Sequence, residues 1–150
     1  MIGLMQRVSD AQVAVDGTVI AAIGPGILVL VGVEAGDGHR QGERLLERLL
    51  GYRVFPDREG RMNLSLRDIG GDLLLVPQFT LAADTSKGAR PSLSGAAPPD
   101  TGKILFERLV TAAQTGYPRV ACGRFGENMK VTLTNDGPVT FWLRVPPETG

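Results

Sequence analysis

The sequence predicts an α+β fold in a single domain spanning residues 1–150. Three observations predict this class. Two alternating segments meet at Asp16-Gly17, which is a strong short-range hairpin signal. The run "GILVLVGVE" is apolar and rich in β-branched residues, which is typical of a strand buried on both faces. Two later stretches carry leucines at helical spacing, so two helices should accompany the strands.

The two helices can be placed from their apolar stripes and start signals. The first is expected to begin after Asp37, whose side chain can cap it, and to end near Tyr52. Its apolar stripe consists of Leu45, Leu46, Leu49 and Leu50. The second is expected from about Asp100 to Gln114. The residues expected on its apolar face are Ile104, Leu105, Leu109, Val110 and Ala113.

The remaining segments are predicted to be strands and connections. Short strands separated by proline and glycine turns are expected in "YRVFPDREGRMNLSLRDIGGD". "DLLLVPQFTL" is predicted to be a strand that is interrupted at Pro77 and ends near Ala83. "RVACGRF" and "MKVTLTNDGPVTFWLRV" are predicted as the closing strands. The long connection "DTSKGARPSLSGAAPPD" carries Lys87 and Arg90, and is either a mobile surface loop or a basic flap over an anionic substrate.

Composition narrows the chemistry that this chain can perform. The 16 basic and 16 acidic side chains cancel, so no overall field draws the protein to nucleic acid or to an anionic membrane. His39 and Cys122 are the single histidine and cysteine, too few for a usual zinc site. A Ser-His-Asp triad would have to use His39, and the sequence has no G-x-S-x-G motif. We therefore expect neither a metal nor another cofactor. The lone cysteine and the lack of a signal-peptide pattern favour a cytoplasmic protein.

The stretch "VPQFTL" could carry chemistry through its backbone. One interpretation is a plain strand with Phe79 in the core. The other is that Pro77, which has no N–H, ends the ladder and leaves neighbouring backbone donors free for a developing oxyanion. The donors in question belong to Gln78, Phe79 and Thr80.

Two further residues and one dipeptide have both a structural and a functional interpretation. Phe125, between glycines, is either a core residue at a turn or a platform on which a nucleobase stacks. Arg7, in the first strand, either faces solvent or binds a phosphate or carboxylate. Gly137-Pro138 interrupts strand-like sequence, and is either a plain turn or a backbone device held at a working site.

The chain as a whole resembles the D-aminoacyl-tRNA deacylases, also called D-tyrosyl-tRNA deacylases. The resemblance runs nearly end to end, through "MQRV", "GILVLVGVE", "ERLLGYRVFPDREGRMNLSL", "PQFTLAADTSKGARPS" and "GRFGENMKVTLTNDGPVTFWL". It implies a β-barrel-like mixed or antiparallel sheet with two helices packed outside, in a homodimer whose active sites lie at the subunit interface. It also implies hydrolysis of D-aminoacyl-tRNA, and of glycyl-tRNA mischarged on tRNA-Ala, with rejection of L-aminoacyl-tRNA.

The same resemblance implies roles for individual residues. Thr80 is the catalytic threonine, Gln78 supports it, and Phe79 contributes its backbone. Gly137-Pro138 carries a cis peptide bond that enters the partner subunit's active site and sets chiral selectivity. The residues implied at the tRNA 3′ end are Arg7, Phe125 and Met129. Lys87 and Arg90 are further candidates because of the positive charge that they give to the long connection.

Several alternatives stay open at this point. Most of the family has a serine before the glutamine, where this chain has Pro77. A proline at this position resembles that of an animal tRNA deacylase, a relative that holds its Gly-Pro pair in trans. A relaxed deacylase of Gly- or L-Ala-mischarged tRNA is therefore the main alternative. Because no histidine is available to activate Thr80, we expect the 2′-hydroxyl of the tRNA to assist; an acyl-enzyme on Thr80 is the other route. An RNA-end-binding module and a structural dimerisation domain are the non-enzymatic alternatives.

Overall fold

A long first strand organises the sheet. In the computed structural model, which describes residues 1–148, strand β1 (Ile2–Val15) runs for 14 residues. One edge of β1 pairs with β3 (Gly26–Gly32) over its first half and with β2 (Thr18–Ile23) over its second half. Its other edge pairs with β8 (Lys130–Arg144) along almost its whole length. All three pairings are antiparallel.

The β1–β2 hairpin turns at the two residues that the sequence indicated. Asp16 and Gly17 have φ angles of 49° and 78°. A two-residue turn that matches the twist of its strands needs positive φ at both positions, which aspartate tolerates and glycine adopts freely. The predicted hairpin is confirmed.

The sheet is mixed, because two parallel strands join the free edge of β3. Strand β6 (Asp72–Pro77) pairs with β3, and β7 (Val120–Cys122) pairs with β6. The order is β2-β1-β3-β6-β7, and β2 also contacts β6 and β7, so the sheet curls into a nearly closed barrel. Strands β4 (Phe55–Pro56) and β5 (Met62–Leu64) form a separate two-stranded sheet.

Three α-helices accompany the sheet in the described part of the chain: α1 (His39–Gly51), α2 (Leu66–Ile69) and α3 (Pro99–Gly116). Helices α1 and α3 pack against each other. Strands alone were predicted around α2, and that prediction is wrong for this one turn. The missed signal is a capping box, in which the Ser65 hydroxyl accepts a hydrogen bond from the Asp68 N–H. No helix among residues 1–148 is long and apolar enough to cross a membrane.

The central strands bury both of their faces. On β3, Ile27 and Val29 belong to the apolar cluster that includes the α1 and α3 side chains, whereas Leu28 belongs to a second cluster inside the barrel. On β6, Leu73 and Leu74 divide in the same way. Full burial of each such side chain stabilises the fold by about 1.5–3 kcal/mol. The buried side chains therefore anchor β3 and β6, and with them the segments that directly follow these strands. The prediction of a doubly buried β3 is confirmed.

Two details of the helices differ from the predictions. Asp37 does not cap α1, whose N-cap is Gly38. The Asp37 carboxylate instead accepts hydrogen bonds from the Met1 ammonium group (2.8 Å) and the Glu34 N–H (2.7 Å). The first of these bonds has a charged donor, which binds a carboxylate more strongly than a neutral one. On α3, Ile104 is 54% exposed, whereas the other residues predicted for its apolar face are buried, as are the four leucines of α1.

Candidate active site

Strand β6 ends at Pro77, and the residue after it makes the last hydrogen bond of the parallel ladder with β3. Gln78 donates its N–H to the Val31 carbonyl oxygen (2.8 Å), and a 3₁₀ helix follows over Phe79–Ala82. This segment lies close to Gly32, where a Cβ atom would be 2.9 Å from the Leu81 Cβ. The interruption predicted at Pro77 is confirmed, whereas the continuation of the strand to near Ala83 is wrong.

Two backbone donors are left at the start of the 3₁₀ helix. The first N–H groups of a helix have no acceptor within it, and no acceptor elsewhere in residues 1–148 takes up those of Phe79 and Thr80. Gln78 was expected to offer a third donor, but Val31 uses its N–H. The free donors are therefore two and adjacent, an arrangement that can bind a developing negative charge.

The side chains at this position are polar and uncharged. The Gln78 side-chain amide donates a hydrogen bond to the Thr80 hydroxyl oxygen, and Thr80 is exposed. The only histidine of the sequence, His39, is not part of this group, since it lies on α1 with its Nδ1 2.8 Å from Nη1 of Arg108 on α3. Thr80 therefore has no imidazole base beside it.

A cleft of about 510 Å³ opens beside Gln78 and Phe79. Its walls come from β3, the end of β6, the first turns of α3 and the turn that leads from β7 to β8. Most of the lining is apolar, and its larger apolar side chains include Val31, Val76, Phe106, Phe125 and Met129. The polar side chains found in the lining, within the part of the chain that the structure describes, are Gln78, Glu127 and Asn128.

Glycines bring the walls of the cleft together. The Phe125 ring lies against Gly102 of α3, where a Cβ atom would be 3.3 Å from its Cζ. Met129 packs over Gly123, and its sulfur is 3.4 Å from the Arg124 backbone nitrogen, which donates to it. Phe125 and Met129 are half-buried, and these contacts hold both side chains on the wall of the cleft. The sequence prediction had placed both residues at one site, and the structure brings them together.

The Gly137–Pro138 dipeptide lies apart from this cleft. Its peptide bond is cis, both residues are exposed, and neither lines the cleft of its own chain. Arg7 reaches this segment, donating from Nε to the Asp136 carbonyl oxygen (2.8 Å) and from Nη1 to the Val54 carbonyl oxygen (2.7 Å). The structure therefore groups Arg7 with the Gly-Pro segment and not with the cleft residues.

The two basic residues of the long connection are also outside the cleft lining. Lys87 and Arg90 are exposed on a loop closed by reciprocal backbone hydrogen bonds between Asp84 and Ser92 (2.8 and 3.0 Å). The Asp84 carboxylate also accepts the Ser86 N–H (2.9 Å). The loop thus has a defined base, from which two long cationic side chains extend into solvent.

Sequence reasoning missed three polar residues near these groups. Glu127 and Asn128 lie between Phe125 and Met129 and line the cleft. Asn135 precedes the Gly-Pro segment, and its side chain contacts the residues that follow it. The signal for Asn135 was present, because asparagine at a turn commonly hydrogen-bonds to backbone a few residues away.

Comparison with known proteins identifies the class. The family model described as "D-Tyr-tRNA(Tyr) deacylase" matches residues 4–144, which include every candidate site residue. The chain belongs to this family.

Curated relatives define the activity more broadly. A D-aminoacyl-tRNA deacylase from Nitrosococcus oceani is 65% identical, over 98% of this chain and 95% of the relative. One from Thioalkalivibrio sulfidiphilus is 63% identical, over 98% of this chain and 99% of the relative. The protein is accordingly an enzyme that deacylates D-aminoacyl-tRNA, a hydrolase of a carboxylic ester bond.

Solved structures show the same architecture. The "c-Myc DNA Unwinding Element Binding Protein" aligns with a TM-score of 0.93 at 35% identity, covering 97% of this chain and 99% of that one. A structure described as "a probable eukaryotic D-amino acid tRNA deacylase" aligns with a TM-score of 0.83 at 18% identity, covering 96% and 98%. The second likeness shows the fold alone. Together they confirm the predicted barrel-like mixed sheet with helices outside it.

Proposed function

We propose that this deacylase proofreads aminoacyl-tRNA in the cytoplasm as a homodimer, releasing D-amino acids and also glycine mischarged on tRNA-Ala while sparing L-aminoacyl-tRNA. One observation carries the proposal: an apolar cleft with an aromatic wall ends beside two free, adjacent backbone donors. An apolar slot suits a terminal nucleoside, and the donors suit the ester that is attached to it.

The nucleotide is proposed to bind by stacking. In this arrangement Phe125 and Met129 hold the terminal adenosine, because unpaired bases at single-stranded ends stack on aromatic side chains and gain about 1–3 kcal/mol per base. Lys87 and Arg90 are exposed, and their proposed role is to contact the RNA backbone. Arg7, whose guanidinium holds the Asp136 carbonyl, would act on the bound end through the Gly-Pro segment.

The ester is proposed to be hydrolysed without a protein nucleophile. Water attacks the ester carbonyl, and the oxygen that becomes negative is stabilised by the N–H groups of Phe79 and Thr80. The bond from the carbonyl carbon to the ribose O3′ breaks, giving a free amino acid and a tRNA with a 3′-hydroxyl. The 2′-hydroxyl of the tRNA assists the proton transfers, since Thr80 has no imidazole neighbour. Gln78, hydrogen-bonded to Thr80, orients its hydroxyl.

Chiral selection is assigned to the main chain of Gly137–Pro138 from a partner subunit. Two features support this assignment: both residues are exposed, and both lie outside the cleft of their own chain. Main-chain carbonyls can accept hydrogen bonds from the substrate ammonium group and exclude an L side chain, whatever that side chain is. Such a device accounts for broad acceptance of D-amino acids and for acceptance of glycine.

A relaxed deacylase is the second candidate, because Pro77 occupies the position before Gln78 where most of the family has serine. Such an enzyme would clear glycine and L-alanine from mischarged tRNA. It would differ from the first candidate in its rate on L-aminoacyl-tRNA and not in its chemistry.

The deciding experiment is deacylation of labelled D-Tyr-tRNA, L-Tyr-tRNA and Gly-tRNA, with L-Ala-tRNA as a fourth substrate. We expect release from the D-tyrosyl and glycyl substrates only. Release of L-alanine at a comparable rate would establish the relaxed enzyme, and no release from any substrate would leave an RNA-end-binding module or a structural dimerisation domain.

The catalytic route has its own test. A D-Tyr-tRNA that ends in 2′-deoxyadenosine should be hydrolysed at least about 100-fold more slowly, whereas Thr80→Ala should retain measurable hydrolysis. Trapping of an acyl group on Thr80, together with complete loss of activity in Thr80→Ala, would establish the acyl-enzyme route instead.

A further inference from the structure

The Gly-Pro segment leaves the β1–β8 ladder. Thr140 pairs with Gln6 and Asn135 pairs with Val8, so residues 136–139 face a single residue of β1, Arg7. A segment with three more residues than its partner strand must bulge from the sheet. Its shape therefore depends on contacts other than ladder hydrogen bonds.

The Asn135 side chain joins the two ends of this bulge. Its Oδ1 accepts the N–H of Val139 (2.7 Å), and its Nδ2 donates to the Thr140 hydroxyl oxygen (2.9 Å). A longer contact runs from the same Nδ2 to the Val139 carbonyl oxygen (3.4 Å). One side chain therefore closes the segment that carries Gly137 and Pro138, like a clasp across its base. We call this group of contacts the Asn135 clasp.

The clasp and Arg7 hold different parts of the bulge. Arg7 binds the Asp136 carbonyl oxygen, which lies before the Gly-Pro pair. Asn135 binds Val139 and Thr140, which lie after it. Gly137 has no side chain with which to fix itself, and its φ of 147° lies in a region that other residues rarely adopt. The direction of its carbonyl thus depends on how both flanks are held.

We infer that Asn135, acting through Thr140 and the Val139 N–H, is a positioning residue that sets the discrimination between D- and L-aminoacyl esters. The inference rests on the proposed role of Gly137–Pro138 in chiral selection. A filter made of main-chain carbonyls discriminates only if those carbonyls stay within about 0.5 Å of their working position. Loosening one flank lets the bulge yield to an L side chain, while the cleft and the free donors at Phe79 and Thr80 remain intact.

The test compares substitutions that keep the clasp with substitutions that open it. Asn135→Asp keeps an acceptor for the Val139 N–H and can accept from the Thr140 hydroxyl, whereas Asn135→Leu, of similar size, can do neither. Thr140→Ser keeps the hydroxyl, and Thr140→Val removes it. The readout is the ratio of kcat/KM for D-Tyr-tRNA to that for L-Tyr-tRNA, with the melting temperature of each variant as the measure of folding.

We expect Asn135→Leu to lower this ratio at least about tenfold, mainly by raising the rate on the L-substrate. Thr140→Val, which removes one hydrogen bond, should lower it about three- to tenfold. Asn135→Asp and Thr140→Ser should stay within about threefold of the parent ratio. A residue with a merely structural role would change both rates together and leave the ratio where it was.

An unchanged ratio in a folded Asn135→Leu protein would overturn the inference. If that variant fails to fold, an unchanged ratio in Thr140→Val overturns it equally. The result for the unmutated protein distinguishes this outcome from failure of the proposed function. If the unmutated protein hydrolyses D- and L-Tyr-tRNA at the same rate, the proposed chiral selection is refuted. If the unmutated protein is selective and Asn135→Leu and Thr140→Val remain equally selective, only the role of the Asn135 clasp is refuted.

Discussion

Gly102, in the first turns of α3, lets the Phe125 ring approach the helix backbone. A Cβ atom at this position would be 3.3 Å from Phe125 Cζ and 3.5 Å from Cε2. The first of these distances is closer than ordinary packing, so a methyl group would displace the ring, which lines the cleft. The position of one aromatic side chain in the candidate nucleoside site thus depends on the absence of another side chain.

We expect Gly102→Ala to raise KM for D-Tyr-tRNA about three- to tenfold with little change in kcat, because the displaced ring obstructs the nucleoside and not the ester. Alanine also favours the helix over glycine by up to about 1 kcal/mol, so the melting temperature should not fall. Gly116→Ala is the control, since Gly116 is in the same helix and nothing lies within 4 Å of its Cβ position. Equal KM values in the two variants would show that Phe125 does not contribute to nucleotide binding.

At the scale of elements, the junction of β6 with the 3₁₀ helix places the backbone donors. Pro77 ends the parallel ladder, and the Gln78 N–H is tied to Val31 of β3. Gly32 allows the 3₁₀ helix to pack closely on β3, because a Cβ there would be 2.9 Å from Leu81 Cβ and 3.2 Å from the Gln78 carbonyl oxygen. The direction of the donors at Phe79 and Thr80 is therefore set by packing of one element on another.

Gly32→Ala is expected to push the 3₁₀ helix away from β3. Overpacking of this kind costs about 1–3 kcal/mol of stability, and the misplaced donors should lower kcat about tenfold or more while KM changes little. Gly24→Ala is the matched control, since its Cβ would be 3.8 Å from the nearest atom, Asp72 Oδ2. The measurements are urea unfolding and single-turnover deacylation. A folded Gly32→Ala protein with the parent kcat would contradict the role given to these donors.

At the scale of the whole molecule, one face of β8 exposes a large aromatic side chain. Trp142 is 58% exposed there. Because side chains alternate along a strand, Trp142 faces the same way as Thr140. The bulge that carries the exposed Gly137 and Pro138 begins directly beyond Thr140 in the ladder. An exposed tryptophan of this size is typical of an interface, so a second copy that covers Trp142 would receive the Gly-Pro segment nearby.

We expect Trp142→Glu to dissociate the proposed homodimer, because burying an unpaired carboxylate at an interface costs several kcal/mol. Deacylation at nanomolar enzyme should fall at least about tenfold and recover in part at high protein concentration. Trp142→Phe, which keeps an aromatic surface, should remain dimeric. Light scattering after gel filtration gives the mass. A Trp142→Glu protein of unchanged mass would show that this face is not the interface.

Acid is expected to weaken the fold. The pKa values of four carboxyl groups lie below their ordinary values of 4.5 for glutamate and 3.8 for aspartate: Glu34, Asp57, Asp68 and Asp84. Hydrogen bonds to the charged form are the cause, led at Asp57 by the Asn63 amide and at Asp68 by the Ser65 N–H. At Glu34, burial alone would raise the pKa, but hydrogen bonds from Arg144 and the N-terminal ammonium group outweigh it.

A carboxyl group with a lowered pKa in the folded state stabilises the fold above its ordinary pKa and loses that contribution as the pH falls. The free energy of unfolding should therefore decrease as the pH falls below about 4.5. Asp37 acts in the opposite sense, because burial raises its pKa. Urea unfolding at pH 7, 5, 4 and 3 measures the effect, and Asp68→Asn should make the decrease shallower. Stability independent of pH over this range would contradict the assignment.

Much of the architecture was accessible from local patterns. Asp16-Gly17 predicted the hairpin, the apolar run of β3 predicted a doubly buried strand, and the leucines of α1 predicted its buried face. These features depend on residues close together in the chain. Helix α2 was missed because four residues are too short for a periodic signal, although its capping box was present.

The sequence by itself determined the family, the strand and helix types, and the residues brought together by closeness in the chain, such as Phe125 with Met129 and Gln78 with Thr80. Only the tertiary structure decided that the Gln78 N–H is consumed by Val31, that Asp37 binds the Met1 ammonium group, and that Arg7 holds Asp136, 129 residues further along the chain. The reason is physical. Periodicity and turn chemistry act over a few residues, whereas the partner of a donor or a charge depends on which distant segments packing brings within hydrogen-bond distance.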